Sequence, residues 1–139
     1  MNSSHPHAAA GPFYLATIVT IARDGVLRPA RDSVETGQHI HVITAWNPGE
    51  ERPTRAENDA ANERLRRDLA ALGLVPIPAR GSDPCSDHFE ESWAVHGIDD
   101  ATARDIGARH GQWAVFRITH DEQRVLGCFG SWELARSLR

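Results

Sequence analysis

The clearest hydrophobic pattern in the chain lies between residues 54 and 72 and predicts an amphipathic helix. Apolar residues recur there at spacings of four, four and three, at Ala61, Leu65, Leu69 and Leu72. Thr54 and Glu57 have the spacing of a capping box, which favours a helix start at this point. Gly73 is a suitable residue to end the helix.

Two asparagines interrupt this apolar stripe near the start of the helix. Asn58 and Asn62 lie one turn apart and, at about 100° per residue, they fall on the face that should be buried. A buried amide needs hydrogen-bond partners. The two side chains therefore either brace the preceding turn or line a site, and the sequence leaves both interpretations open.

Shorter runs of apolar, aromatic and β-branched residues predict strands on both sides of the helix. These strands cover residues 13–21, 38–46, 92–95, 113–119 and 124–129. Prolines make 75–78 extended, and 80–88 is predicted to be a polar loop. A second helix is predicted over 99–110, capped by Asp99 and ended by Gly111, and 132–139 is predicted to form a final short helix.

This order of elements favours an α+β fold. Strands occur before, between and after the helices, so we expect a mainly antiparallel sheet packed against two principal helices, as an α/β sandwich. A doubly wound parallel fold fits less well, because strands and helices alternate too rarely. Residues 1–11 are predicted to be a mobile N-terminal tail, and residues 12–139 a single α+β domain.

Composition excludes several classes of function. The net charge of −4 argues against general nucleic-acid binding. No apolar run is long enough to span a membrane, and two cysteines make no disulfide framework, so we expect a cytoplasmic protein. All 15 basic residues are arginine, which excludes a Schiff-base lysine and a P-loop lysine on this chain.

Polar residues from the strand over 38–46 and from the helix should meet at the start of the helix. The strand delivers Thr44 and Asn47 to the end at which Asn58 and Asn62 point inward. The N-terminus of a helix attracts anions, and Arg55 lies there as a counter-charge. We therefore assign these five residues to a candidate ligand-binding site.

Three further polar residues are candidates for the same site. Glu91 lies where a loop enters a strand, and a carboxylate beside amides can act as a general base, so it is the candidate catalytic residue. Ser92 is a hydrogen-bonding neighbour, since no Gly-x-Ser-x-Gly elbow surrounds it. Gln112 opens an apolar strand and either presents its amide to the site or satisfies the end of the preceding helix.

Metal ligation is a weaker alternative. The densest group of metal-ligating residues is Cys85, Asp87, His88, Glu90 and Glu91, and His39 and His41 alternate onto one face of a strand. Neither a Cys-x-x-Cys nor a His-Glu-x-x-His motif is present. We therefore assign no metal and no cofactor.

An ordered set of short motifs resembles a known family. The motifs are residues 43–48 (Ile-Thr-Ala-Trp-Asn-Pro), Asn58 and Asn62, residues 81–84 (Gly-Ser-Asp-Pro), Glu91 and Ser92 with Gly97, and residues 111–116 (Gly-Gln-Trp-Ala-Val-Phe). Together they resemble the bacterial domain of unknown function 3293, over roughly residues 13–128. The resemblance implies a small bacterial domain and carries no established activity. Glu90 and Glu91 compete for one family position, which we assign to Glu91 because it directly precedes the serine.

Two functions from different classes fit these residues. The first is a domain that binds, and in an enzyme would transform, a polar small molecule in a pocket lined by Thr44, Asn47, Asn58, Asn62, Glu91 and Gln112. The second is a non-catalytic protein-interaction module whose polar residues brace a binding loop. The sequence does not define a reaction or an oligomeric state, and we expect neither membrane nor general nucleic-acid binding.

Overall fold

A computed structural model describes residues 6–139 of the chain as one eight-stranded sheet with three α-helices. The elements are α1 (Gly11–Leu15), β1 (Ile18–Arg23), β2 (Val26–Pro29), β3 (Ile40–Thr44), α2 (Arg55–Ala71), β4 (Ile77–Ser82), β5 (Phe89–Val95), α3 (Asp100–Arg109), β6 (Ala114–Ile118), β7 (Glu122–Gly127) and β8 (Glu133–Ser137). The strand order is β2-β1-β4-β5-β3-β6-β7-β8, and every neighbouring pair is antiparallel. The predicted α+β class with an antiparallel sheet is confirmed.

The sheet is curled rather than flat. In a flat sheet β1 and β7 would lie five strand positions apart, or about 24 Å at ~4.8 Å per strand. Instead Gln123 on β7 donates from Nε2 to the carbonyl of Thr17, just before β1, at 2.9 Å. Arg136 on β8 donates to the carbonyl of Leu15 at 2.7 Å. Two distant parts of the sheet are therefore joined through the segment between α1 and β1.

The two faces of the sheet have different coverings. We call the face that bears Val42 the inner face and the face that bears Ile43 the outer face, because successive side chains of a strand point to opposite sides. The inner face holds one apolar core, formed by residues such as Ile21, Val42 and Ile118. The outer face packs against α2 and α3 through a second core, in which Ile43 meets Leu65.

The long helix α2 forms as the sequence predicts. Thr54 caps it by accepting from the backbone N–H of Glu57 at 3.1 Å, and Glu57 accepts from the backbone N–H of Thr54 at 3.0 Å. Asn58 and Asn62 are buried on the same face as Leu65 and Leu69, which confirms the predicted orientation of the asparagines. Asp99 likewise caps α3 by accepting from the backbone N–H of Thr102.

Two predicted boundaries are wrong, at the start of β1 and at the loop between β4 and β5. The segment predicted as a strand over 13–21 begins as the short helix α1, since Pro12 follows Gly11 at a position that suits a helix start. The predicted loop over 80–88 is shorter, because β4 continues to Ser82 and β5 begins at Phe89. The longer β5 places both Glu90 and Glu91 inside a strand.

The predicted C-terminal helix is also wrong. Residues 132–139 instead contain β8, which pairs with β7 from Glu122↔Ser137 to Leu126↔Glu133. The structure has three α-helices rather than the two principal helices predicted, and the curl replaces the flat layer of a simple sandwich. Residues 1–5 of the predicted tail lie outside the described residues, whereas Pro6–Ala10 forms a 3₁₀ helix that leads into α1. The division into a tail and one domain stays a prediction.

Candidate functional site

A cavity of about 700 Å³ opens on the inner face of the sheet. It lies between α1, the loop that joins β3 to α2, the β4–β5 hairpin and the start of β6. Its polar side chains include Thr44, Asn47, Glu90, Ser92 and Gln112, and its aromatic walls include Tyr14, Trp113 and Phe116. A volume of this size falls in the range of sites for small molecules.

Asn47 connects helix α2 to this cavity. It follows β3 with a φ of 46°, a left-handed conformation that asparagine tolerates better than most residues. Asn58 stabilises this conformation, because its Oδ1 accepts from the backbone N–H of Asn47 at 3.0 Å. Its Nδ2 donates to Oδ1 of Asn47 at 2.9 Å. One helix side chain therefore bonds both the main chain and the side chain of the loop residue.

These two hydrogen bonds determine which way the amide of Asn47 points. A backbone N–H can only donate, so the atom of Asn58 that meets it must be the carbonyl oxygen. The amino group of Asn58 must then face Asn47, whose carbonyl oxygen accepts from it. The amino group of Asn47 is consequently left to donate to Oε2 of Glu90 at 2.8 Å. The orientation of both amides follows from the main chain.

Glu90 is the ionisable group at the centre of this arrangement. Its side chain is 27% exposed, and His88 Nε2 lies 3.7 Å from its Oε2. Burial raises the pKa of Glu90, and the hydrogen bond from Asn47 and the nearby His88 and Arg52 only partly offset this effect. A carboxyl with a raised pKa on the wall of a cavity has the properties of a proton donor or acceptor.

Glu91 occupies a different place from its neighbour. It lies on the outer face of β5, away from the cavity, and Arg80 Nε donates to its Oε1 at 2.7 Å. Arg80 also lies over the ring of Phe89, 4.1 Å from its centroid. The residue that the sequence favoured as the site glutamate is therefore an ion-pair partner on the other side of the sheet, and Glu90 takes the position beside the amides.

Three other sequence candidates do line the cavity. Thr44 donates from Oγ1 to the carbonyl of Glu91 at 2.7 Å and accepts from the N–H of Trp46 at 3.0 Å. Ser92 neighbours Thr44 across the β3–β5 pair, and both face inward. Gln112 donates from Nε2 to the carbonyl of Trp46 at 3.1 Å, which ties the start of β6 to the loop that carries Asn47.

Asn62 lies outside the cavity. Its Oδ1 accepts from the N–H of Ala45 at 3.4 Å, and its backbone carbonyl accepts from Trp93 Nε1 at 2.8 Å. Like Asn58, it bonds the segment that follows β3 from the side of α2. The two helix asparagines thus hold the segment that follows β3 in place from α2, and they do not line the cavity.

Arg55 also lies away from the cavity. It pairs with Asp59 on the surface of α2, and its guanidinium lies over the ring of Trp46 at 5.0 Å. The first turn of α2 already carries an anion, because the carboxylate of Glu57 folds back onto it in the capping box. This arrangement gives no support to an anion site at the helix N-terminus.

Tyr14 and Phe116, on the aromatic wall, were missing from the sequence-based candidates. Tyr14 on α1 faces the cavity, and burial together with the charge of Glu90 raises its pKa to about 12. Helix α1 fell inside a predicted strand, so nothing in the pattern pointed to Tyr14. Glu90 had a usable signal: residues of a strand two apart share a face, so Ser92 in the site implies Glu90 rather than Glu91.

The strand histidines considered as metal ligands bond to other groups. Within residues 6–139, no three histidine, cysteine, aspartate or glutamate side chains are grouped to hold a metal. His39 bonds the carbonyl of Ile98 at 3.0 Å, and the buried His41 bonds Asp100 at 2.8 Å. Cys85 is exposed on the β4–β5 hairpin.

The fold and the cavity define a small α+β domain with a curled antiparallel sheet. Residues 43–115, more than half of the chain, match the family model described as a protein of unknown function, DUF3293. The chain therefore belongs to this family, as the motifs indicated. No curated protein matches the chain, and no solved structure matches it. None of the helices within residues 6–139 is long and apolar enough to cross a membrane.

Proposed function

We propose that the inner-face cavity binds a polar small molecule, and that Asn47 and Glu90 hold its polar group. The observation that carries this proposal is the hydrogen bond from Asn47 to Glu90 inside a cavity of about 700 Å³. A purely structural amide would not need an ionisable partner at the cavity wall, since burying a carboxylate costs free energy.

The support behind Asn47 favours a binding role. Asn58 bonds the backbone N–H and the side-chain carbonyl of Asn47, and Gln112 bonds the carbonyl of the preceding residue, Trp46. Binding sites need side chains whose orientation is set before the ligand arrives, because ordering them afterwards lowers affinity. In this proposal Asn58 and Asn62 are positioning residues, and Glu90 takes the role that we predicted for Glu91.

Glu90 is also the group that would transfer a proton if the bound molecule reacts. The raised pKa of its carboxyl brings its titration closer to neutral pH than that of an ordinary glutamate. Thr44 and Ser92 face the same space and provide hydroxyl groups for orientation. The proposal therefore assigns binding to the cavity and restricts acid–base chemistry to Glu90.

The test is a screen of polar fragments by ligand-observed NMR on the wild-type chain, Asn47→Ala and Glu91→Gln. We expect fragments that bind the wild type to lose most of their signal on Asn47→Ala, because that variant removes the amide in the cavity. Glu91→Gln is the matched control on the outer face and should bind as the wild type does. The proposal fails if no fragment binds the wild type, or if binding survives Asn47→Ala unchanged.

A further inference from the structure

Resting on the proposed function, we infer that the cavity selects ligands with a positively charged amine and an apolar, preferably aromatic, body. Glu90 would form the ion pair with the amine, and the aromatic wall would enclose the rest. The inference comes from the charges around Glu90 and from the side chains opposite it.

Glu90 differs from the other carboxylates of the sheet in having no arginine partner. Glu91 pairs with Arg80 at 2.7 Å, and Glu122 with Arg124 at 3.1 Å. Glu133 pairs with two arginines, one at 2.6 Å and one at 2.8 Å. Among the residues that the structure describes, the ion-pair partner of Glu90 is His88 alone, at 3.7 Å. Its carboxylate is thus the partly buried charge that most lacks a cation.

The charged residues of the cavity wall add to this imbalance. The wall contains the acidic side chains Glu50, Asp83 and Glu90 and a single arginine, Arg52. Arg52 donates from Nη1 to the backbone carbonyl of Glu51 at 3.0 Å and makes no ion pair with Glu90, so its charge acts on Glu90 only at longer range. With three carboxylates and one guanidinium, the wall carries a formal excess of negative charge, which attracts a cation and repels an anion.

The rest of the wall suits the remainder of such a ligand. Tyr14, Trp113 and Phe116 present aromatic groups to the space that Glu90 faces, and Val42 adds an apolar floor. The faces of aromatic rings attract cations and also pack well against other rings. An aromatic amine would therefore satisfy both parts of the cavity, the carboxylate that has no arginine partner and the apolar wall.

Three probes of similar shape and different charge test this inference. Tryptamine is a cation, tryptophol is neutral and indole-3-acetate is an anion, and all three carry the same ring on a short chain. We expect tryptamine to bind about tenfold or more tightly than tryptophol by NMR titration of the full chain, because a hydrogen bond to a charged group exceeds a neutral one. Indole-3-acetate should bind most weakly.

Two variants identify the group responsible. Glu90→Gln keeps the size of the side chain and its acceptor for Asn47, so it should fold and bind tryptamine no better than tryptophol. Glu91→Gln should keep the wild-type preference, because Glu91 lies on the outer face. Thermal melting of each variant confirms that it is folded at the titration temperature.

The outcomes separate this inference from the proposed function. If tryptophol or indole-3-acetate binds the cavity as tightly as tryptamine, the cavity binds small molecules and selection for a cation is overturned. If the preference for tryptamine persists in Glu90→Gln, the assignment to Glu90 is overturned. If none of the three probes nor any fragment of the screen binds the wild type, the proposed function fails as well.

Discussion

The two faces of strand β5 treat adjacent glutamates in opposite ways. Glu91, on the outer face, meets a guanidinium at 2.7 Å, whereas Glu90, on the inner face, meets one amide and a more distant imidazole. An arginine balances the charge of Glu91, whereas the carboxylate of Glu90 faces the cavity without an arginine partner. The difference shows that local sequence cannot rank two neighbouring acids until the strand that carries them is known.

The same contrast extends to the cores on the two sides of the sheet. On the outer face the buried His41 bonds Asp100, and Arg117 bonds the other oxygen of Asp100 at 3.1 Å. Near the cavity on the inner face, polar groups such as Thr44, Asn47 and Glu90 surround an open space. The outer-face pair is thus closed on itself, whereas part of the inner face leaves polar groups beside an open cavity.

The largest effect should come from Asn58→Leu. Leucine suits the helix and its apolar stripe, but the N–H and the side-chain carbonyl of Asn47 would lose their partner. We expect a loss of about 2–4 kcal/mol in the free energy of unfolding, because each buried polar group left unpaired costs ~1–3 kcal/mol. Urea denaturation measures this loss.

The control for Asn58→Leu is Asn62→Leu, one turn further along the same face. Asn62 makes a single long side-chain bond, at 3.4 Å, so we expect a loss of about 1 kcal/mol. Equal stability of Asn58→Leu and the wild type would show that the bonds to Asn47 do not hold the loop.

Acid should destabilise the protein through the outer-face pair of His41 and Asp100. Burial lowers the pKa of His41 below its ordinary 6.5, even though the hydrogen bond and charge of Asp100 oppose the shift. The folded state therefore prefers neutral His41, and its contribution is present above pH 6.5 and lost as pH falls through the lowered pKa. We expect the urea midpoint to fall between about pH 7 and pH 5.

The variant His41→Gln should reduce this pH dependence. Glutamine can still donate to Asp100 but cannot take up a proton in this range. Both Arg117 and His39 face the same region, and their charges also disfavour protonated His41. An unchanged slope of stability against pH in His41→Gln would mean that another group controls the acid response.

Glu90 on the inner face should have the opposite effect on the pH dependence of stability, and the variant Glu90→Gln tests this. Since burial raises the pKa of Glu90 above its ordinary 4.5, its ionised form destabilises the fold at neutral pH. We expect Glu90→Gln to raise the melting temperature at pH 7, which corresponds to a gain on the order of 0.5–1 kcal/mol in the free energy of unfolding. The gain should disappear near pH 4, where the wild-type carboxyl is protonated as well. A loss of stability at pH 7 would contradict this account.

The smallest effect should come from Glu91→Gln. The pair of Glu91 with Arg80 is about one-third exposed, and such pairs contribute about 0–1 kcal/mol. We expect a small decrease in stability that is reduced further in high salt, measured by thermal melting. A change larger than that of Asn62→Leu would show that the outer-face pair matters more than its exposure suggests.

Sequence patterns succeeded where a single element contains its own signals. Helix α2 has its cap, its apolar stripe and its stop within twenty residues, so its bounds and its buried asparagines could be predicted. Strand β8 has no such signals, because its place depends on pairing with β7. Part of the cavity wall could be predicted for the same reason: Thr44 and Ser92 lie on strands that the pattern indicated, and Asn47 and Gln112 lie next to such strands. Tyr14 lies on a short helix that the pattern did not indicate.

The curl also has a consequence for the order in which the chain can fold. Helix α1 forms one wall of the cavity, but the bonds that anchor the segment after it come from Gln123 and Arg136 on the last two strands. Contacts between residues more than a hundred positions apart form slowly, because a long loop must close first. During synthesis the wall of the cavity should therefore stay incomplete until the C-terminal strands emerge, so any ligand of the cavity should bind only after the whole chain has folded.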